Sequence, residues 1–301
     1  MSPHLVNGVS TPGLIRGFTA PALHFAACLA KNGDELESEA DFPMRRTLPP
    51  EPWSQVALWS RSVAVFAATV ALLTVLLARL KIIAPVSALA SLGAAVALAL
   101  VALLLVGASS VVMWRTGRRG AGAAFVGALI AITTLAYPSY LAFESIRLPV
   151  LSDISTDVAN PPYFSLSRAA YEAREGFQPK GVTQKAREYQ RAAYPDVEPI
   201  VVDLDSDEAF ALVLRTAKAI GWKVVDQRPP GGRTGEGHAD FVDKTLIMGL
   251  DEDVTVRLKP LPGQTRIDLR AASRYGRHDF GANAQRILAF AEELQTQLDA
   301  K

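Results

Sequence analysis

Three stretches of this sequence carry no Asp, Glu, Lys, Arg or His, and they limit what the chain can fold into more than any other feature. They run from Ser62 to Ala78, from Ile82 to Trp114 and from Gly120 to Phe143. A helix needs about 20 apolar residues to cross a hydrocarbon core of about 30 Å. The first stretch reaches that length with Trp59, Leu80 and the stems of Arg61 and Arg79. The second, centred on Ser91 to Ser110, extends from Pro85 to Trp114; its excess length predicts a tilt or an end outside the hydrocarbon. A helix that is apolar on every face must meet either protein or lipid, and too little chain remains to cover three of them. The sequence therefore predicts a three-helix transmembrane region over 59–146. Trp53, Trp59, Trp114, Tyr137 and Tyr140 fall near the ends of the runs, where amphipathic rings favour the headgroup zone.

Basic residues in short flanks set orientation. Arg45, Arg46 and Arg61 precede or open the first span, and Arg115, Arg118 and Arg119 occupy the loop between the second and third. The other short loop holds only Arg79 and Lys81. The asymmetry places the amino terminus in the cytoplasm and, after an odd number of spans, the carboxy-terminal domain outside. In a bacterium with two membranes this means an inner-membrane protein with a periplasmic domain.

From Arg147 to Lys301 there are 21 basic and 23 acidic residues, an ordinary soluble surface near neutrality. Such a balance speaks against nucleic acid, whose phosphates require a clustered excess of Lys and Arg. The single cysteine, Cys28, allows no intrachain disulfide. The soluble half offers only His238 and His278 among histidines, without paired-ligand spacing, so no metal and no cofactor are expected.

Residues 1–58 read as a poorly ordered amino-terminal segment with an acidic patch at Asp34–Asp41. Met44 opens MRRTLPPEPW, a short basic leader that suits a translation start. Residues 147–198 form a connecting strap. Asp153, Asp157 and Asn160 before Pro161–Pro162 predict extended, turn-rich chain, and Thr183–Ala193 a short polar helix.

The soluble domain occupies 199–301. Ile200–Val202, Trp222–Asp226, Thr245–Met248, Val254–Leu258 and Arg266–Ala272 read as strands. Asp205 opens a helix that buries Phe210, Val213, Leu214 and Ala217. A last helix presents Ile287, Phe290, Ala291, Leu294 and Leu298 on one face. The fold class is thus a three-helix transmembrane anchor plus an α+β domain, an antiparallel sheet with two helices packed on one face. Alternation predicts that Asp253, Thr255, Arg257, Arg266, Asp268 and Arg270 point outward, with Arg257 and Arg270 pairing across the ladder.

Four segments carry a family resemblance: DISTDVANPPYF at 153–164, YPD at 194–196, EDVTVR at 252–257 and RAASRYGRHDFGANAQRI at 270–287. From Leu151 onward the chain resembles the uncharacterised family catalogued as domain of unknown function 1499, in its membrane-anchored proteobacterial form. It departs from that pattern at Glu252, where aspartate is usual, and at Ala271, where serine is usual. The resemblance implies a fold and no known activity.

One loop stands out chemically. Ser273–Asn283 joins the last strand to the last helix and brings Arg274, Arg277, His278, Asp279 and Asn283 to a helix amino terminus. There, free N–H groups and the macrodipole favour anions. The alternative role for the same residues is a cap by Asp279 or Asn283, with Arg274 pairing to an acid. The leading expectation is a non-enzymatic envelope protein whose domain binds an anionic small molecule, a lipid headgroup or an envelope protein partner. The alternatives are a hydrolase of esters or phosphates using Ser273, His278 and Asp279, and a structural subunit of a membrane complex.

Overall fold

The computed structural model describes residues 51–179, 181–232 and 235–300. The acidic patch, Met44 and the arginines at 45 and 46 lie outside the described residues. Three helices, α1 (Gln55–Arg79), α2 (Pro85–Thr116) and α3 (Ala121–Arg147), are each long and apolar enough to cross a membrane. The first begins ahead of Trp59, because Ser54 caps it by accepting a hydrogen bond from the Ala57 N–H. Leu72, Leu104 and Phe125 point outward, as lipid-facing side chains do. The seams are lined by small residues: Ala57 with Ala123 and Ala124, Ala64 with Ala102 and Ala131, Ala67 with Ala99. Without a hydrophobic force between helices in lipid, such seams gain stability from close van der Waals packing.

The rest of the described chain builds an antiparallel sheet. Its strands are β1 (Asp153–Ser155), β2 (Ile200–Val202), β3 (Lys223–Arg228), β4 (Gly237–Lys244), β5 (Asp251–Leu261) and β6 (Gln264–Ser273). The order is β1-β6-β5-β4-β3, and β2 also pairs with β6, end to end with β1. Two short helices, α4 (Arg168–Ala173) and α5 (Gln184–Ala193), belong to the strap. Helices α6 (Ser206–Ala219) and α7 (Ala282–Asp299) pack on one face. Asp205 accepts from the Glu208 N–H at 2.9 Å to start α6. Phe210, Val213, Ala217, Ile287, Phe290 and Leu294 then close with Phe241, Val254, Val256 and Leu269 into one core.

Two expectations are corrected. Thr245–Met248 is a turn; the strand is Gly237–Lys244, one segment earlier. The turn is apolar because Ile247, Met248 and Leu250 pack against Ala78, Ile83, Ala88 and Leu92 at the α1–α2 end. Arg79 fastens it there, donating through Nε to the Ile247 carbonyl at 2.8 Å and through Nη2 to the Leu246 carbonyl. Lys81 adds an ion pair to Asp251 at 2.8 Å. The domain is thus docked on the helix hairpin, not merely tethered to it.

The second correction concerns the polar face of the sheet. Asp253, Thr255, Arg257, Asp268 and Arg270 are buried, and only Arg266 stays partly exposed. The strap lies across them. Arg270 pairs with Asp153 at 2.6 Å and donates to the Pro162 carbonyl at 3.0 Å. Arg257 pairs with its cross-strand neighbour Asp268 at 2.8 Å and with Asp157 at 3.1 Å. Arg174 of the strap pairs with Asp240 at 2.9 Å. Charges that alternation places outward are here closed over by a polar lid of main-chain carbonyls and carboxylates, which desolvated guanidiniums require.

Candidate functional site

The loop between β6 and α7 is held at the point where the chain leaves α3. The Ser273 N–H donates to the Ser152 carbonyl and the Asp279 N–H to the Leu151 carbonyl, both at 2.8 Å. Gly281 takes φ +82 at the start of α7, where an added Cβ would lie 2.9 Å from Leu148 Cδ1. Both the backbone and the neighbour require glycine there.

Asp279 caps α7. Its carboxylate accepts from the Gly281 N–H at 3.0 Å and the Asn283 N–H at 3.1 Å. Asn283 donates to Ser273 Oγ at 3.0 Å and to the Ser152 carbonyl at 3.2 Å, and its Oδ1 accepts from Arg286 at 2.7 Å. Arg286 completes the row with Asp243 at 2.6 Å. Glu252 lies buried beside Ser273, with one carboxylate oxygen lacking any hydrogen-bond partner among the described residues. Burial pushes the Glu252 carboxyl up to about 7, against the Ser273 hydrogen bond and the Arg286 charge. Burial also raises Asp279, although its backbone hydrogen bonds oppose this. Burial thus shifts two carboxyl groups at the foot of α7 upward.

The five residues singled out from sequence divide into two sets. Asp279 and Asn283 meet at the helix start as internal partners. Arg274 turns away beneath the strap, onto Asp253 and the Ala173 carbonyl. Burial tends to lower its basicity, but the Asp253 hydrogen bond and charge outweigh this and raise it. Arg277 is exposed and pairs with no acid among the described residues. His278 lies half-buried, stacked on Phe280 at 4.6 Å, and its Nδ1 accepts from the Phe280 N–H at 2.9 Å. Ser273, His278 and Asp279 are joined by no hydrogen bond among the described residues, and each has a separate partner.

Sequence reasoning missed Glu252, Asp243 and Arg286 as members of this cluster. Glu252 and Arg286 both stand inside the family-like segments, which was the available signal. It also missed the polar layer around His238, which stacks on Tyr163 at 4.9 Å and lies 3.0 Å from Asp240. Among the described residues, no group of three or more His, Cys, Asp or Glu is arranged to hold a metal ion.

The segments that supply this cluster are also those that carry the family likeness. Residues 153–294 match the family model described as Protein of unknown function (DUF1499). The DUF1499 match takes in β1 and the strap together with the sheet and nearly all of α7. Those are the parts that the buried ion pairs bind together. No curated protein matches the chain.

Proposed function

We propose that this is a non-enzymatic protein of the bacterial inner membrane, with a cytoplasmic amino terminus and a periplasmic DUF1499-like domain that binds an anionic group at the bilayer surface. The arginine asymmetry of the flanks supports the orientation. The observation that carries the binding reading is the tie between Asp279 and Leu151. It holds the exposed Arg277 at the exit of α3, where phosphate headgroups lie. Lys81, whose side chain is 59% exposed, emerges from the α1–α2 turn below the same domain. Arg274, Asp279 and Asn283 frame the loop, whereas Arg277 and His278 meet the ligand. A phosphate monoester or diester has the required chemistry.

Thermal shift and native mass spectrometry on the full chain in mild detergent test this, with phosphatidylglycerol in one arm and free glycerol phosphate in the other. Stabilisation by the lipid alone identifies a headgroup site; stabilisation by both identifies a soluble phosphate ester. Unchanged shifts in Arg277→Ala/His278→Ala would remove the loop from consideration.

A further inference from the structure

At the opposite end of the helix bundle, a groove of about 780 Å³ runs along α1 and α3, lined by Trp53, Leu58, Arg61, Arg119, Gly122 and Val126. The two helices are in close contact on either side of it, since a Cβ at Gly120 would lie 2.9 Å from Ala57 Cβ. A Cβ at Gly127 would stand 3.0 Å from the Arg61 backbone nitrogen. Nearer the end, Gly120 and Ala123 add little bulk to the groove wall, while Ala57, Ala123 and Ala124 pack together behind it. The segment before α1 is pinned across the mouth: the Ser54 N–H donates to the Arg119 carbonyl at 2.8 Å, and the Arg119 N–H to the Pro52 carbonyl at 3.3 Å. Arg119 and Trp53 are therefore held in place, not trailing from a free loop.

We propose that this groove holds one anionic phospholipid, with its phosphate between Arg61 and Arg119 and the start of an acyl chain along Leu58 and Val126. Charge complementarity decides the occupant. Both ionisable residues lining the groove are arginines. Arg61 has no ion pair among the described residues, and the Arg119–Glu51 contact is 3.9 Å between side chains about two-thirds exposed. Such a pair competes weakly. Guanidiniums match phosphate oxygens in fork geometry, and the uncapped first turn of α3 adds the positive end of a helix dipole. The apolar walls belong to helices long enough to span a bilayer, so the part of the ligand beyond the phosphate is hydrocarbon. The volume falls within the range of about 300–1,000 Å³ that cradles a small ligand. Trp53 supplies the amphipathic ring expected at headgroup depth.

Native mass spectrometry of the full chain, titrated with phosphatidylglycerol or with phosphatidylethanolamine, tests the assignment. The wild type retains one phosphatidylglycerol at an activation energy that strips phosphatidylethanolamine. Each Arg→Gln change at 61 or 119 weakens binding about fivefold and the double change about 25-fold, while the Arg→Lys changes retain most of it. Gly122→Leu fills the groove and ejects the lipid without meeting backbone, because a Cβ there has nothing within 4 Å. Arg277→Ala leaves this lipid in place, which separates the groove from the loop at the other end. Helicity by circular dichroism confirms that each variant is folded. Equal retention of the two lipids, wild-type affinity in folded Arg61→Gln/Arg119→Gln, or a second copy of the chain in place of a lipid mass overturns the proposal.

Discussion

Arg274 closes on Asp253 through two hydrogen bonds of 2.9 and 2.8 Å, with both side chains almost wholly removed from water. The same guanidinium donates to the Ala173 carbonyl. One ion pair thus joins the last turn of the sheet to the end of the strap helix. A pair this deep stabilises little compared with apolar replacements, but breaking it leaves a bare charge in a dry place. Arg274→Met is expected to cost about 3–5 kcal/mol, read as a lowered thermal midpoint of the full chain. Arg274→Met with Asp253→Leu should recover a large part of that. Equal losses in the single and double variants would show that the two residues are not coupled.

Glu252 gives the domain a pH dependence. Its carboxyl titrates near 7 in the folded protein and near 4.5 when unfolded. The folded state therefore binds the proton more tightly, and stability falls as pH rises from about 4.5 through about 7. The full effect is on the order of 3 kcal/mol. Asp253 and Asp279, also raised by burial, act in the same direction. Glu252→Gln should flatten the dependence and melt above the wild type at pH 8. Parallel curves for the two proteins between pH 5 and 8 would contradict the assignment.

The membrane anchor was legible because a run of residues such as Ser62–Ala78 has one physical solution, whatever the rest of the chain does. The helix faces of α6 and α7 were legible for a similar reason: their apolar spacing is local. β4 was not, because His238 and Asp240 resemble loop residues until the strap that buries them is known. Thr245–Met248 misled in the opposite way, since its apolar side chains answer to α1 and α2 and not to the sheet. For the site, sequence brought out Asp279, Asn283 and the arginines, because the loop and the helix start are contiguous. It could not show that Arg274 turns to Asp253 or that Glu252 closes the cluster. Those contacts depend on sheet register, here Glu252 opposite Ser273.

The docking of the domain on the helices is testable at Arg79. Its guanidinium donates to two carbonyls of the 245–248 turn, and Lys81 pairs with Asp251 nearby. Arg79→Ala with Lys81→Ala should raise amide exchange across residues 245–251 and leave the core strands β5 and β6 protected. The melting temperature should change little, because Lys81 is largely solvated and such pairs contribute about 0–1 kcal/mol. If the turn exchanges no faster in the variant, the apolar contacts of Ile247 and Met248 suffice to hold it.

Asp279 offers the sharpest test of whether the start of α7 can receive an anion. Its carboxylate already occupies the place an external phosphate would take, accepting from the N–H groups of Gly281 and Asn283. Asp279→Ala removes that cap, at a cost of about 0.5–2 kcal/mol, and leaves those donors beside Arg277 and His278. Millimolar phosphate should then raise the melting temperature of the variant more than that of the wild type, because the helix start is a ready anion site once vacated. Adding Arg277→Ala to this variant should reduce the gain, since the guanidinium supplies the strongest local field. A phosphate effect that is absent in both proteins would mean that the loop geometry cannot hold an anion even when its internal carboxylate is gone. The binding role proposed for the loop would then have no electrostatic basis.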